Sequence, residues 1–172
     1  MQDVSPINGY FAEAFRSALS ARAVASETLA SGNRLLTTFA LTAEDGLLEG
    51  TVLSAPGPDG ADSVHPYMAV DLGVAVPEKN LPAARHFSRV FRLLNQPFGL
   101  VVDGDEALLT HASVFYPGGE AVFPALLTAL GENVEACRAA LRRIVADDLS
   151  EADAEAAAFI LRPFAAKEND DA

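Results

Sequence analysis

Apolar positions recur along this chain with two different periods, and the changes of period mark the elements. Phe11, Phe15, Leu19 and Ala23 fall four apart, with Ala12, Ala18, Ala25 and Leu29 beside them. That spacing predicts an amphipathic helix over about residues 9–30, with Asn8 as its N-cap and Gly32-Asn33 as its stop. From Leu35 the period shortens. "LLTTFALT" and "LLEGTVLS" flank Ala43-Glu44-Asp45-Gly46, and Asp-Gly between two β-prone runs predicts a hairpin. Leu35-Leu36 and Leu47-Leu48 are doubled, so the alternation alone leaves the register of this hairpin open. Residues 55–65, rich in Pro, Gly and Asp, predict an exposed loop. A third strand follows from Tyr67 to Val76, with Met68, Val70, Leu72 and Val74 on one face.

The helical period returns after Pro77. Asn80 is placed to cap a helix over about residues 81–95, with Pro82 in the first turn, where its missing N–H costs nothing. Leu81, Ala84, Phe87, Val90, Phe91 and Leu94 form one side of it, and Arg85, Arg89 and Arg92 the other. After Gln96-Pro97, two β-prone runs flank Asp103-Gly104-Asp105-Glu106 and predict a second hairpin, and Tyr116-Pro117-Gly118-Gly119 predicts a turn. A long helix is expected over about residues 120–147, its seam made of Val122, Leu126, Leu130, Val134, Cys137, Leu141, Ile144 and Val145. Residues 150–161 predict a short acidic helix capped by Ser150, and the remainder a frayed tail. The order α-βββ-α-ββ-α(α) predicts an α+β fold: an antiparallel sheet of about five strands with helices on one face. A single domain over 1–149 and an acidic C-terminal segment over 150–172 follow.

Charge adds a preference for partners. Lys and Arg number 12 against 24 Asp and Glu, a formal charge of −12. Residues 41–84 carry seven acids and one base, and 147–172 carry eight acids and two bases. A field of that sign disfavours nucleic acid and favours a basic protein partner. The first residues lack the basic and apolar regions of a signal peptide, and no apolar run is long enough to span a bilayer. With one cysteine, Cys137, the chain has no internal disulfide, and a cytoplasmic location is expected.

Candidate chemistry is sparse. His65, His86 and His111 stand apart, without the spacings of a metal motif, and no nucleophile elbow or phosphate-binding glycine run is present. Cys137 falls in a helix seam, where a free cysteine packs as a small hydrophobe. No metal, cofactor or catalytic residue is therefore assigned. Arg85, Arg89 and Arg92 form a basic stripe suited to the acidic segments of the same chain or of a second subunit, or to a separate acidic or phosphorylated ligand.

The segment from His86 to Val145 resembles the YbjN-like family, which shares its fold with the bacterial type III secretion chaperones. Leu93-Leu94-Asn95 near a helix end, Phe98-Gly99 opening a strand, the Asp103-Gly104 turn, the β-run 107–115 and Gly118-Gly119 before a long helix carry that resemblance. It implies a compact α+β domain, commonly a homodimer, that binds other proteins without ATP or metal. The expected function is thus a non-catalytic, chaperone-like or regulatory module holding a segment of a partner. Phe39 and Val52 of the first hairpin, read as exposed, are candidate contacts, with Leu126 and Leu130 of the last helix and the three arginines. Two alternatives stand beside it. One is an anion- or small-ligand-binding protein or enzyme using Arg85, Arg89, His86 and His111. The other is a structural subunit of a larger assembly.

Overall fold

The computed structural model of the chain describes residues 4–58 and 62–147. Three helices and six strands follow one another: α1 (Pro6–Ser20), β1 (Ser26–Ser31), β2 (Arg34–Ala43), β3 (Gly46–Pro56), β4 (Val64–Asp71), α2 (Leu81–Leu94), β5 (Phe98–Asp103), β6 (Glu106–Ala112) and α3 (Phe123–Val145). The strands hydrogen-bond in the order β1-β2-β3-β4-β6-β5. The fold is α+β, with a multi-stranded antiparallel sheet and helices packed against it. Contacts group the chain into two compact units, Met1–Asp71 with Thr110–Leu130, and Leu72–Leu109 with Gly131–Ala172.

In the first unit the antiparallel meander β1 to β4 carries α1 on one face. Leu35, Thr37 and Phe39 of β2, Leu48, Val52 and Ser54 of β3, and Val64, Met68 and Val70 of β4 are all buried. A cluster of phenylalanines fills the space above them. Phe15 of α1 meets Phe39 edge-on at 6.1 Å, Phe11 meets Phe115 at 5.2 Å, and Phe123 at the start of α3 meets Phe15 at 5.5 Å. Side chains of this size, fully buried, each contribute on the order of 1.5–3 kcal/mol.

The first unit departs from the sequence expectations at three places. The first helix does not run to residue 30: Ala23 adopts a left-handed φ of 57°, and Ser26–Ser31 is strand β1, paired antiparallel with β2. Gly32, at φ 61°, begins the two-residue turn between them, as a primed hairpin turn requires. Among the described residues the sheet therefore has six strands, against about five expected. Asn8 is not a cap either. It lies within α1, buried, and its amide donates to the Asn33 carbonyl at 2.9 Å and the Ser54 carbonyl at 3.2 Å, tying the helix to the meander. The expected 55–65 loop is shorter than predicted, because β3 extends to Pro56, pairing with Val64, and Ser63 and Val64 are buried.

In the second unit the alternation of the third predicted strand persists beyond β4. Leu72, Val74 and Val76 are buried, and the N–H groups of Leu72 and Val76 donate to the Ala107 and Asp105 carbonyls. The helix α2 presents Ala84, Phe87 and Phe91 inward, and its Ser88 hydroxyl donates to the Leu100 carbonyl of β5 at 2.6 Å. Asn80, read as the cap of α2, makes no capping bond; its amide donates to the Ile144 carbonyl and to Asp147. The second hairpin forms as expected, with Gly104 at φ 58° in its turn. The seam of α3 starts one residue later than predicted: Phe123 and Leu127 are buried where Val122 is exposed. Leu130, Val134, Cys137, Leu141 and Ile144 continue it. Arg138 is only 2% exposed, with Glu135 at 3.9 Å, a cation that the sequence pattern does not single out. The expected helix at 150–161 and the tail lie outside the described residues.

Candidate functional site

The doubled leucines of the first hairpin give that part of the sheet two apolar faces. Side chains alternate along a strand, so with Leu35 and Leu48 facing α1, Leu36 and Leu47 face away from it. The pairing register then assembles a row across four strands: Leu29 opposite Leu36, Leu36 opposite Leu53, and Leu53 opposite Tyr67. Leu29 is 56% exposed, Leu53 40% and Tyr67 48%, with Leu36 half-buried among them. Neighbouring strands lie about 4.8 Å apart, so the row runs about 14 Å across the meander. Isolated exposed leucines are ordinary, whereas a contiguous set in register is the informative case.

Charge is distributed unevenly around the row. Strand pairing places Thr38, Thr51 and Ala69 beside it on one side, and beyond them Ala40 opposite Glu49. Glu27, Glu49 and Asp71 are exposed on that side. On the other side stand Arg34 at the start of β2 and His65 opposite Ala55, both exposed. A shallow cleft of about 380 Å³, lined by Glu27, Thr38, Ala40 and Glu49 among others, adjoins the acidic side.

The predicted contacts fall differently. Phe39 and Val52 are buried, at the centre of the face that α1 covers, and so are not surface contacts of this chain. The register the sequence left open decides this, since odd residues of β2 and even residues of β3 point inward. Leu130 is buried in the α3 seam and Leu126 is half-buried. Arg85, Arg89 and Arg92 are exposed along α2 as expected. Arg85 and Arg89 line one open cleft of about 690 Å³ with Glu78, Leu81, Pro82, Ser88 and Val102; Arg92 does not reach it. The sequence pattern does not single out Leu29, Leu36, Leu53 or Tyr67 as contacts. The leucine doublets are the available signal for Leu36, and the helical spacing of Leu29 from Ala25 obscures its place in a strand.

The reactive side chains stand apart. Burial pushes the Cys137 thiol far above its ordinary pKa, so the nucleophilic thiolate is suppressed at neutral pH. Burial also holds His111 below the usual imidazole range, keeping it neutral. The Glu120 carboxylate is held low chiefly by the Tyr10 hydroxyl, which donates to it at 2.6 Å, and that hydrogen bond raises Tyr10 in turn. Among the described residues, no three His, Cys, Asp or Glu side chains converge as metal ligands, and no helix is long and apolar enough to cross a membrane.

No protein-family model matches the chain, and no curated protein matches it.

Proposed function

We propose that this protein is a non-catalytic protein-binding module that holds an apolar segment of a partner polypeptide on the open face of the β1–β4 meander. The observation that carries this reading is the exposed row Leu29, Leu36, Leu53 and Tyr67, in register across four strands on the face away from α1. Covering such a row removes apolar surface from water at about 25 cal/mol per Å². Its narrowness suits a single extended or helical segment better than a second copy of the chain, because a stable protein–protein interface covers about 800 Å² on each partner. The carboxylates of Glu27, Glu49 and Asp71 on one side favour a segment with basic residues at that flank. A chaperone-like or regulatory role of the kind implied by the YbjN-like resemblance fits this arrangement, and the reading requires neither a homodimer nor a cofactor.

Site-specific photocrosslinking tests it. A benzophenone side chain in place of Tyr67, irradiated in native extract, is expected to yield a discrete adduct with one polypeptide through an apolar segment. That adduct should disappear when Leu29 and Leu53 are changed to Asp, and should be absent when the crosslinker replaces the exposed Arg92 of α2. An equal pattern of adducts from positions 67 and 92, or no adduct from 67, removes the basis for the proposal.

A further inference from the structure

The second unit carries a feature that the open face of the meander does not use. Helix α2 is held from behind, with Ala84, Phe87 and Phe91 buried and the Ser88 hydroxyl donating to the Leu100 carbonyl of β5 at 2.6 Å. Its outer side is thereby fixed against β5. There Arg85 and Arg89 stand four residues apart, both exposed, with Cβ atoms about 6 Å from one another as helical neighbours have. Both line one open cleft of about 690 Å³.

Nothing among the described residues neutralises the pair. Neither guanidinium has a hydrogen-bond or ion-pair partner there. Asp147, an acid held beside the start of α2, is already engaged by the Lys79 ammonium at 2.6 Å and the Asn80 amide at 2.7 Å. With Arg92 added, α2 bears three arginines at spacings of four and three and no acid. Like charges so spaced destabilise a helix, and a bound anion removes their repulsion. The formal −12 of the whole chain is screened beyond about 8–10 Å at physiological salt, so a small anion responds to the arginines beside it.

The cleft walls narrow the class of anion. Its volume falls in the range of small-ligand pockets, roughly 300–1,000 Å³. Two guanidinium forks are matched by a phosphomonoester, which offers several acceptor oxygens and a charge near −2, whereas one carboxylate fills one fork. Leu81, Pro82 and Val102 give the cleft an apolar side for the body that bears the phosphate. Glu78, the acid of the lining, repels a second anionic group and so disfavours polyphosphates and nucleic acid. We propose that the cleft of Arg85 and Arg89 binds a small phosphomonoester with an apolar body, its phosphate between the two guanidinium groups.

Titration of the full chain with phenyl phosphate, followed by amide NMR, tests this. The signals of Arg85, Ser88, Arg89 and Val102 are expected to shift together and to saturate. R85Q/R89Q should keep the native spectrum elsewhere and bind at least about tenfold more weakly, since it loses charge-assisted hydrogen bonds. Inorganic phosphate, which lacks the apolar body, and benzoate, which lacks the phosphate, should each bind more weakly than phenyl phosphate. Shifts that do not saturate, or that persist unchanged in R85Q/R89Q, overturn the proposal. So does inorganic phosphate or benzoate binding as tightly as phenyl phosphate. A phosphotyrosine peptide binding at least about tenfold tighter than phenyl phosphate also overturns it, because the cleft would then be a docking surface for a modified protein. None of these changes touches Leu29, Leu53 or Tyr67, so failure here leaves the crosslinking test of the open face unaffected.

Discussion

The two faces of the β1–β4 meander are built from similar residues and have different fates. One holds Leu35, Phe39, Val52, Met68 and Val70 under α1, sealed by the ring contacts of Phe11, Phe15 and Phe123. The other holds Leu29, Leu36, Leu53 and Tyr67, in equally good register, with three of the four substantially exposed. Burial on the first face is part of folding, because truncating it leaves a cavity. The second face retains its apolar area in the folded chain, and that area is free for association. The comparison separates what these hydrophobic positions do for stability from the binding role proposed for the open row.

Substitutions on each face sharpen the distinction. The largest effect is expected from Phe39→Ala, which empties a site between α1 and the sheet. Urea unfolding should show a loss of about 3–5 kcal/mol. Next come two backbone-linked positions on the same face. Gly50 lies directly beneath the Phe39 ring, and a methyl group there would collide with it. Gly50→Ala should therefore cost about 1–3 kcal/mol, and Gly50→Ala with Phe39→Leu less than the sum of the single changes, read by a double-mutant cycle. Asn8→Ala leaves two carbonyls, of Asn33 and Ser54, without their donor and should cost about 1–3 kcal/mol in the same assay.

A smaller effect is expected from pH. His111, buried in β6, has its folded pKa lowered below 6.5 by desolvation. The unfolded chain then binds the proton more readily than the folded one. Stability from this group is present above about pH 6.5 and is lost as pH falls through the folded pKa. Urea midpoints should decline on acidification across that window in the native sequence and be flatter in His111→Gln. An unchanged slope in the variant would assign the decline to other groups. The smallest change in stability is expected on the open face: Leu53→Asp with Tyr67→Ser should stay within about 0.5 kcal/mol per site.

The sequence carried the helix faces and both Asp-Gly-type hairpins, because periodicity and turn chemistry are local. Arg85, Arg89 and Arg92 emerged exposed for the same reason: the opposite stripe of α2 is continuously apolar. What was not legible depended on long-range partners. Leu29 lies four residues after Ala25, a helical spacing, and only Ala23 in its left-handed conformation and the pairing with Leu36 make it a strand residue. Asn8 and Asn80 each precede an apolar run, where a short polar side chain suits a cap. Their amides instead cross to Ser54 and to Ile144, distant in sequence. The identity of the outward face turned on one residue of register. A shift of one exchanges Phe39 for Thr38 and Val52 for Leu53, which is why the first hairpin suggested the wrong contacts.

The most direct test takes the segment crosslinked from position 67, as a synthetic peptide, and titrates it calorimetrically into the native protein and into Leu53→Asp/Tyr67→Ser, with the melting temperature of each recorded beside the titration. If the open row is the binding surface, the variant keeps its fold and binds at least about tenfold more weakly, equivalent to about 1.4 kcal/mol. Equal affinity in the two proteins would contradict it, and so would collapse of the variant's fold, which would make the open row a structural element instead of a binding surface.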